Sequence, residues 1–556
     1  MAHTNGTSGA QTNDANAAPD YDCLVIGAGF AGLRIIPELR RLGLTYKIVE
    51  AGASPGGTWY WNRYPGARTD TESWVYILNV SPEINEEWTW KERFPRQPEV
   101  EAYLNFVADK LDVKKDIQFN ARVKSAHWDD EKGLWNFETQ NGEKYRSRFF
   151  LSATGLLSVG RHLPFHGHEN FKGESYISSA WPKHDVSFKG KRVAVIGTGA
   201  TAVQIIPMVA HEAKTLTVFQ RTANFVLPAR NHPLTAEQQR SIKGRYDEVW
   251  KGACSQIFGM DMVDSQQVMM EMHDEKKIRR VLENGWEVGG FRYIFETFAD
   301  LLTSQQANDV ASDFVREKIR SLVKDEETAE ILCPDHGLMG KRPPLGHHYF
   351  ETFNKPHVTL VDVKNNPIKE ITEKGVQLTD KDPRTGTDEF EFDMIIYAIG
   401  FDAGTGALVN MDVRGKDNRS LGEEWNKELQ TFLGIANDGF PNLLMMCAPQ
   451  SPFANLPVAL DKQADFIGKT LERMQRDNCG RVEPKKEAVE GWTKMITDVY
   501  EGTVLPAMAT KAGSWYIGAN VPGKRVAPLF WFGGVRGYRR ICDGEVTNGF
   551  PSLTMA

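Results

Sequence analysis

The sequence has no long apolar run. Nowhere in its 556 residues does a stretch approach the roughly 18 to 20 apolar residues a membrane-spanning helix needs. Cysteine is scarce and scattered. The six, Cys23, Cys254, Cys333, Cys447, Cys479 and Cys542, form neither a C-x-x-C pair nor a metal-ligand spacing. That argues against a dithiol redox centre and a metal site, and points to reduced thiols in the cytoplasm. Basic residues are not in excess. The formal net charge is -7, which gives no electrostatic case for nucleic acid or an anionic membrane surface. Residues 1–20 contain neither an apolar run nor a basic cluster, so they are expected to be a disordered tail and not a signal peptide. What remains is a large cytoplasmic protein acting on small molecules.

Glycine, by contrast, is placed with purpose. Leu24, Val25 and Ile26 form an apolar run too short for a helix, and it ends in Gly27-Ala28-Gly29-Phe30-Ala31-Gly32, after which Leu33, Ile36 and Leu39 recur at helical spacing. This is strand, tight turn, helix. Gly27 makes the turn, Gly29 lets the main chain approach a pyrophosphate and Gly32 allows close helix–strand packing, with the helix N-terminus offering free N–H groups to the anion. A second strand ends in Glu50, 18 residues beyond Gly32, where a carboxylate accepts hydrogen bonds from the ribose hydroxyls of an unphosphorylated adenosine. The pattern predicts a bound FAD.

The architecture recurs at Lys191 to Ala202: a short apolar strand, then Gly197-Thr198-Gly199-Ala200-Thr201-Ala202. The following strand ends in Gln220-Arg221-Thr222, with no acid. A ribose 2′-phosphate would there meet a guanidinium and a hydroxyl instead of a repelling carboxylate, so NADPH is the expected ligand.

Just beyond Glu50 stand Gly56-Gly57-Thr58-Trp59, Tyr64-Pro65-Gly66 and Asp70. Together they resemble the G-G-x-W-x(4)-Y-P-G-x(3)-D signature of the Baeyer–Villiger monooxygenases, a branch of the class B flavoprotein monooxygenases, with every position filled. Phe171, Gly173, Trp181 and Pro182 match that family's second fingerprint except that Ile177 stands where it has histidine. The resemblance spans about residues 21–550. It implies an α/β fold of two Rossmann-like dinucleotide-binding domains, one for FAD and one for NADP, with a helical insertion in the second. The implied segments are 21–158 and 393–556 for the FAD domain, 159–230 and 334–392 for the NADP domain, and 231–333 for the insertion.

The chemistry implied is insertion of one oxygen atom of O2 beside a ketone carbonyl to give an ester or lactone, through a flavin peroxide. In that reading Gly57, Thr58, Trp59 and Asp70 line the flavin, and Lys341 in Gly340-Lys341-Arg342 meets the 2′-phosphate. Arg342 lies over the flavin as the catalytic cation, held by Asp70, and Trp515 in SWYIGANVPGK gates the nicotinamide or substrate. A heteroatom-oxygenating flavin monooxygenase and a non-catalytic nucleotide-binding redox sensor are the alternatives. Ile177 carries two expectations: a missing polar contact that leaks reducing equivalents, or local packing adapted to an apolar side chain.

Overall fold

The computed structural model describes residues 18–556, so the expected tail lies, but for its last three residues, outside the described residues. Two parallel-stranded sheets carry the molecule. In the first, Tyr21–Ile26 lies between Tyr46–Val49 and Lys144–Ser152, both parallel to it, with Cys23 opposite Tyr46 on one side and Phe149 on the other. Strands Val123–Asp129 and Leu134–Thr139 extend this sheet as an antiparallel meander. Strand Tyr21–Ile26 is apolar along its buried end because both its faces are covered, as a central parallel strand requires. Two late segments, Asp412–Arg414 and Leu443–Met445, return to the same sheet.

The second sheet is parallel throughout, in the order Val358–Asp362, Thr215–Gln220, Arg192–Ile196, Met394–Tyr397, Glu174–Ile177. This corrects the expected boundary at 393. Met394–Tyr397 pairs with Arg192–Ile196 and belongs to the second domain. Its role there is that of Lys144–Ser152 in the first. Gly27, at φ 109°, sits so close to the Ala153 carbonyl that a Cβ would lie 2.5 Å from the oxygen; Gly197, at φ 110°, has the same relation to the Ala398 carbonyl, also at 2.5 Å. Each turn is pressed against the chain leaving the strand beside it. A four-residue apolar strand announces itself, but its partner is set by long-range pairing that periodicity does not encode.

The region 231–333 is helical, from Ala236–Gly244 to Glu326–Leu332, but it does not pack as one insertion. Trp286, Phe314, Val315 and Ile319 share a core with Val193, Val195, Leu216 and Val218 of the second sheet. Helix Tyr246–Ser255 instead contributes Val249, Trp250 and Ala253 to the core of the first. Conversely Tyr500, Leu505, Met508 and Tyr516, from the stretch expected in the FAD domain, pack into the second core. Among the described residues no helix is long and apolar enough to cross a membrane, and no cluster of His, Cys, Asp or Glu could hold a metal ion.

Candidate functional site

Both glycine turns open, at the carboxyl ends of their strands, into one cavity of about 950 Å³. That is where a doubly wound sheet leaves a crevice for ligand, and the size is at the upper end of ordinary ligand sites. Gly27, Gly29, Glu50, Gly57, Thr58, Trp59 and Asp70 line it from the first domain, and Gly197, Thr198, Gly199, Ala200, Thr201, Arg221, Thr222, Lys341 and Arg342 from the second. Trp515 joins them from the late segment. Of the expected positions Gly32 alone stands back: a Cβ there would meet the Gly27 carbonyl oxygen at 1.9 Å, so it serves helix–strand packing and does not face the cavity.

The first turn is shaped as a cradle. Gly29 and Gly57 approach so closely that a Cβ on Gly57, itself at φ 53°, would lie 2.9 Å from the Gly29 Cα. Main chain thus forms the wall where a pyrophosphate would lie. Glu50 is buried, and its carboxylate accepts N–H bonds from Ala28 at 2.7 Å and Gly52 at 2.6 Å. Burial pushes its carboxyl above the usual range, and those two N–H groups pull it back. Each oxygen keeps a lone pair for a ribose hydroxyl, so the residues fit an adenosine of the unphosphorylated kind.

At the second turn the Thr198 hydroxyl donates to the Thr222 carbonyl at 3.1 Å, tying the turn to the end of strand Thr215–Gln220. Gly199 is open: a Cβ there would touch nothing within 4 Å. Arg221 is exposed on the cavity rim, and Lys341 is half-buried. Burial, and then the Arg221 charge, lower the Lys341 ammonium to about 8.

Across the cavity Arg342 Nη1 donates to Asp70 Oδ2. The Asp70 side chain is 5 % exposed and that of Arg342 31 %. Arg342 is otherwise densely surrounded, so its exposure is to the cavity it lines. Burial works against the guanidinium charge, but Asp70 overcomes it and holds the group above its ordinary value. Burial pushes the Asp70 carboxyl up against the pull of Arg342, which makes the carboxylate the costlier half of an ionised pair. The other Asp70 oxygen, Oδ1, is buried without a hydrogen bond. Asn224 Nδ2 donates to the Arg342 carbonyl at 3.1 Å and fixes that main chain to the second domain.

Cys447 and Phe453 face the same cavity from 440–457, a stretch that resembles one of the family's late segments near the active site, whereas Arg161 faces it from a segment without a glycine turn or charged motif and carried no signal in the sequence. Tyr64, whose place in the signature was visible, donates to Gln204 Oε1 at 3.1 Å and so links the two domains.

Residues 22–237 match the flavin-binding monooxygenase-like family model. The chain is 40% identical over 536 residues to a cyclohexanone 1,2-monooxygenase of Acinetobacter sp, covering 96% of each. It is 38% identical to a phenazine N-monooxygenase of Lysobacter antibioticus, covering 94% of this chain and 95% of that one. Among solved structures, cyclohexanone monooxygenase from Rhodococcus sp. Phi1 bound to NADP+ superposes with a TM-score of 0.92 at 37% identity, over 96% of this chain and 99% of that one. Two nucleotide turns sharing one cavity, with a buried acid–arginine pair across it, would suit several flavoenzymes. Likeness at this identity along the whole chain narrows the choice, and the chain belongs to the Baeyer–Villiger monooxygenase family.

Proposed function

We propose that this FAD- and NADPH-dependent enzyme inserts one oxygen atom of O2 next to a ketone carbonyl, giving an ester or lactone. The observation that carries this reading is the Asp70–Arg342 pair, which aims a charged guanidinium into the cavity that both glycine turns share. When bound, the flavin reduced by NADPH supplies the activated oxygen. The chain's part is to bind, orient and stabilise. Glu50 and the Gly27–Gly32 turn hold the adenosine diphosphate end of FAD, and Gly57, Thr58 and Trp59 wall the flavin. Arg221, Thr222 and Lys341 hold the 2′-phosphate of NADPH, and Trp515 closes the nicotinamide side. Asp70 fixes one edge of the Arg342 guanidinium, leaving its other N–H groups to meet negative charge gathering on an oxygen in the cavity, where such donors are worth about 3 to 4 kcal/mol.

The test is product analysis with cyclic and linear ketones under 18O2. One labelled oxygen in an ester supports the proposal; consumption of NADPH without ester from any ketone refutes it. The phenazine N-monooxygenase among the relatives gives one rival reading, oxygenation at nitrogen, which aromatic N-heterocycles run alongside the ketones would reveal.

The charges at the second turn also set an expectation for cofactor choice. NADPH should exceed NADH in kcat/KM by tenfold or more, and Arg221→Ala should shrink that ratio about tenfold, the effect of one net charge-assisted contact. A lowered Lys341 is protonated below about pH 8 and neutral above it. Thus kcat/KM for NADPH should fall as pH rises through that value while kcat/KM for NADH stays flat; parallel profiles would remove Lys341 from the phosphate site.

Packing at Ile177 favours one of its two expectations. Its side chain packs with Leu163 and Phe165 against the apolar cluster of Ala194, Ile196 and Tyr397. The position is filled, which favours adapted packing over a missing contact. Ile177→His should therefore cost about 1 to 3 kcal/mol of stability and leave hydrogen peroxide released per NADPH oxidised unchanged. A clear drop in that ratio would restore the missing-contact reading.

A further inference from the structure

The chain passes from the first sheet to the second after Ser152 and returns after Tyr397, and these two crossings run side by side. Gly160 and Phe401 form an antiparallel bridge. The Arg161 N–H donates to the Gly400 carbonyl at 3.2 Å, and the Asp402 N–H to the Val159 carbonyl at 2.9 Å. These bonds set Arg161 at the carboxyl end of strand Met394–Tyr397, whose following residue Ala398 presses on the second glycine turn. Arg161 lines the cavity together with Arg221 and Lys341.

Its guanidinium has five N–H donors. Nη1 gives one bond, to the Ile399 carbonyl at 3.2 Å, and among the described residues the others find no partner. The Arg221 charge reaches both neighbours: together with burial it lowers Arg161 as well as Lys341. The acids whose fields reach this group are already taken. Asp402 is paired with Lys524 at 2.5 Å and Asp335 with Lys364 at 2.7 Å. Among the described residues no carboxylate forms an ion pair with Arg161, Arg221 or Lys341. Three like charges lining one cavity repel one another, and an anion bound between them would relieve the cost. Charged donors grouped in this way suit a phosphate monoester, with its near-double charge and three acceptor oxygens.

We propose that Arg161 is a third cation of the pocket for the ribose 2′-phosphate of NADPH, with Arg221 within reach of both Arg161 and Lys341. This rests on the reading that the second glycine turn takes NADPH. Arg161 is supplied by the crossing segment and not by the dinucleotide fold itself, so the pocket is completed only when the two crossings are zipped together.

The experiment titrates flavin-loaded enzyme calorimetrically with adenosine 2′,5′-bisphosphate and with adenosine 5′-monophosphate, which differ only in the 2′-phosphate. Arg161→Ala should weaken the bisphosphate about tenfold and leave the monophosphate within about twofold. Arg161→Lys should recover part of the loss. Arg161→Gln, which keeps a donor for the Ile399 carbonyl but no charge, should behave as the alanine variant and guards against a local folding defect. In turnover the KM for NADPH should rise with kcat unchanged. No loss, or equal loss for both probes, would overturn the proposal. An effect at Arg221→Ala with none at Arg161 would remove Arg161 alone, whereas no effect at either would bring down the NADPH reading itself.

Discussion

Arg342→Ala should reduce ester formation by at least 100-fold while the protein keeps its flavin. The guanidinium faces the cavity, and on the proposed reading its loss removes a cation placed to meet charge developing there, an effect of about 3 to 4 kcal/mol for a preorganised donor in a closed site. The residues proposed to bind adenosine are elsewhere: among the described residues Glu50 bonds to the Ala28 and Gly52 N–H groups and not to Arg342. The substitution also leaves the buried Asp70 carboxyl without the cation that pairs with it. That could harm the fold by itself. The double variant Arg342→Ala with Asp70→Asn separates the two causes, because a neutral amide tolerates the same burial. It should restore thermal stability and remain without ester. Recovery of ester in the double variant would reduce Arg342 to a structural partner of Asp70. Arg342→Lys keeps the charge but not the planar fork, and should lie between the extremes.

The second large effect belongs to the turns. Gly27→Ala should yield protein without flavin, and Gly197→Ala protein that keeps flavin but binds NADPH at least tenfold more weakly. Both positions hold φ near 110°, where side chains carry strain, and at both an added Cβ would lie 2.5 Å from a carbonyl oxygen, of Ala153 and Ala398 respectively. Neither main chain can yield cheaply, since each is the exit of a central strand. The turn must distort, and the ligand that lies on it loses its seat. Flavin absorbance of the purified variants and NADPH titration measure the two outcomes independently. Flavin retained by Gly27→Ala, or lost from Gly197→Ala with NADPH binding intact, would reverse the assignment of the two turns.

How far the sequence carries follows from what each signal encodes. The two turns were legible because glycine spacing, an apolar strand and a helical repeat coincide within about a dozen residues. Glu50 was legible because it ends the next strand. Asp70 and Arg342 are 272 residues apart, and no local pattern joins them; only the family resemblance placed them together, and the structure then pairs them. Met394–Tyr397 was legible as a strand but not as a member of the second sheet, because a short buried strand pairs equally well by its own pattern with either. Helix Tyr246–Ser255 and the stretch around Leu505 to Tyr516 carry apolar faces that periodicity reveals, yet which core each face meets depends on the path of the whole chain. Arg161 had no motif at all. It is positioned by main-chain bonds to Gly400, a register that side-chain identity does not announce.

The paired crossings have a mechanical meaning. Val159–Arg161 and Gly400–Asp402 are bonded along their length, and the Gly404 N–H adds a bond to the Leu156 carbonyl at 3.0 Å. A two-ply ribbon of this kind flexes across its thin dimension and resists stretching or shear, so it would favour a swing over a slide where one sheet moves against the other. Near such an axis displacement is least, and Arg161 is bonded to Gly400 there. The Asp70–Arg342 and Tyr64–Gln204 contacts tie the same two halves away from the ribbon, and they act as clasps that a swing must undo. Opening about the ribbon would therefore loosen the Arg342 guanidinium from Asp70 before it disturbed the cavity wall that carries Arg161.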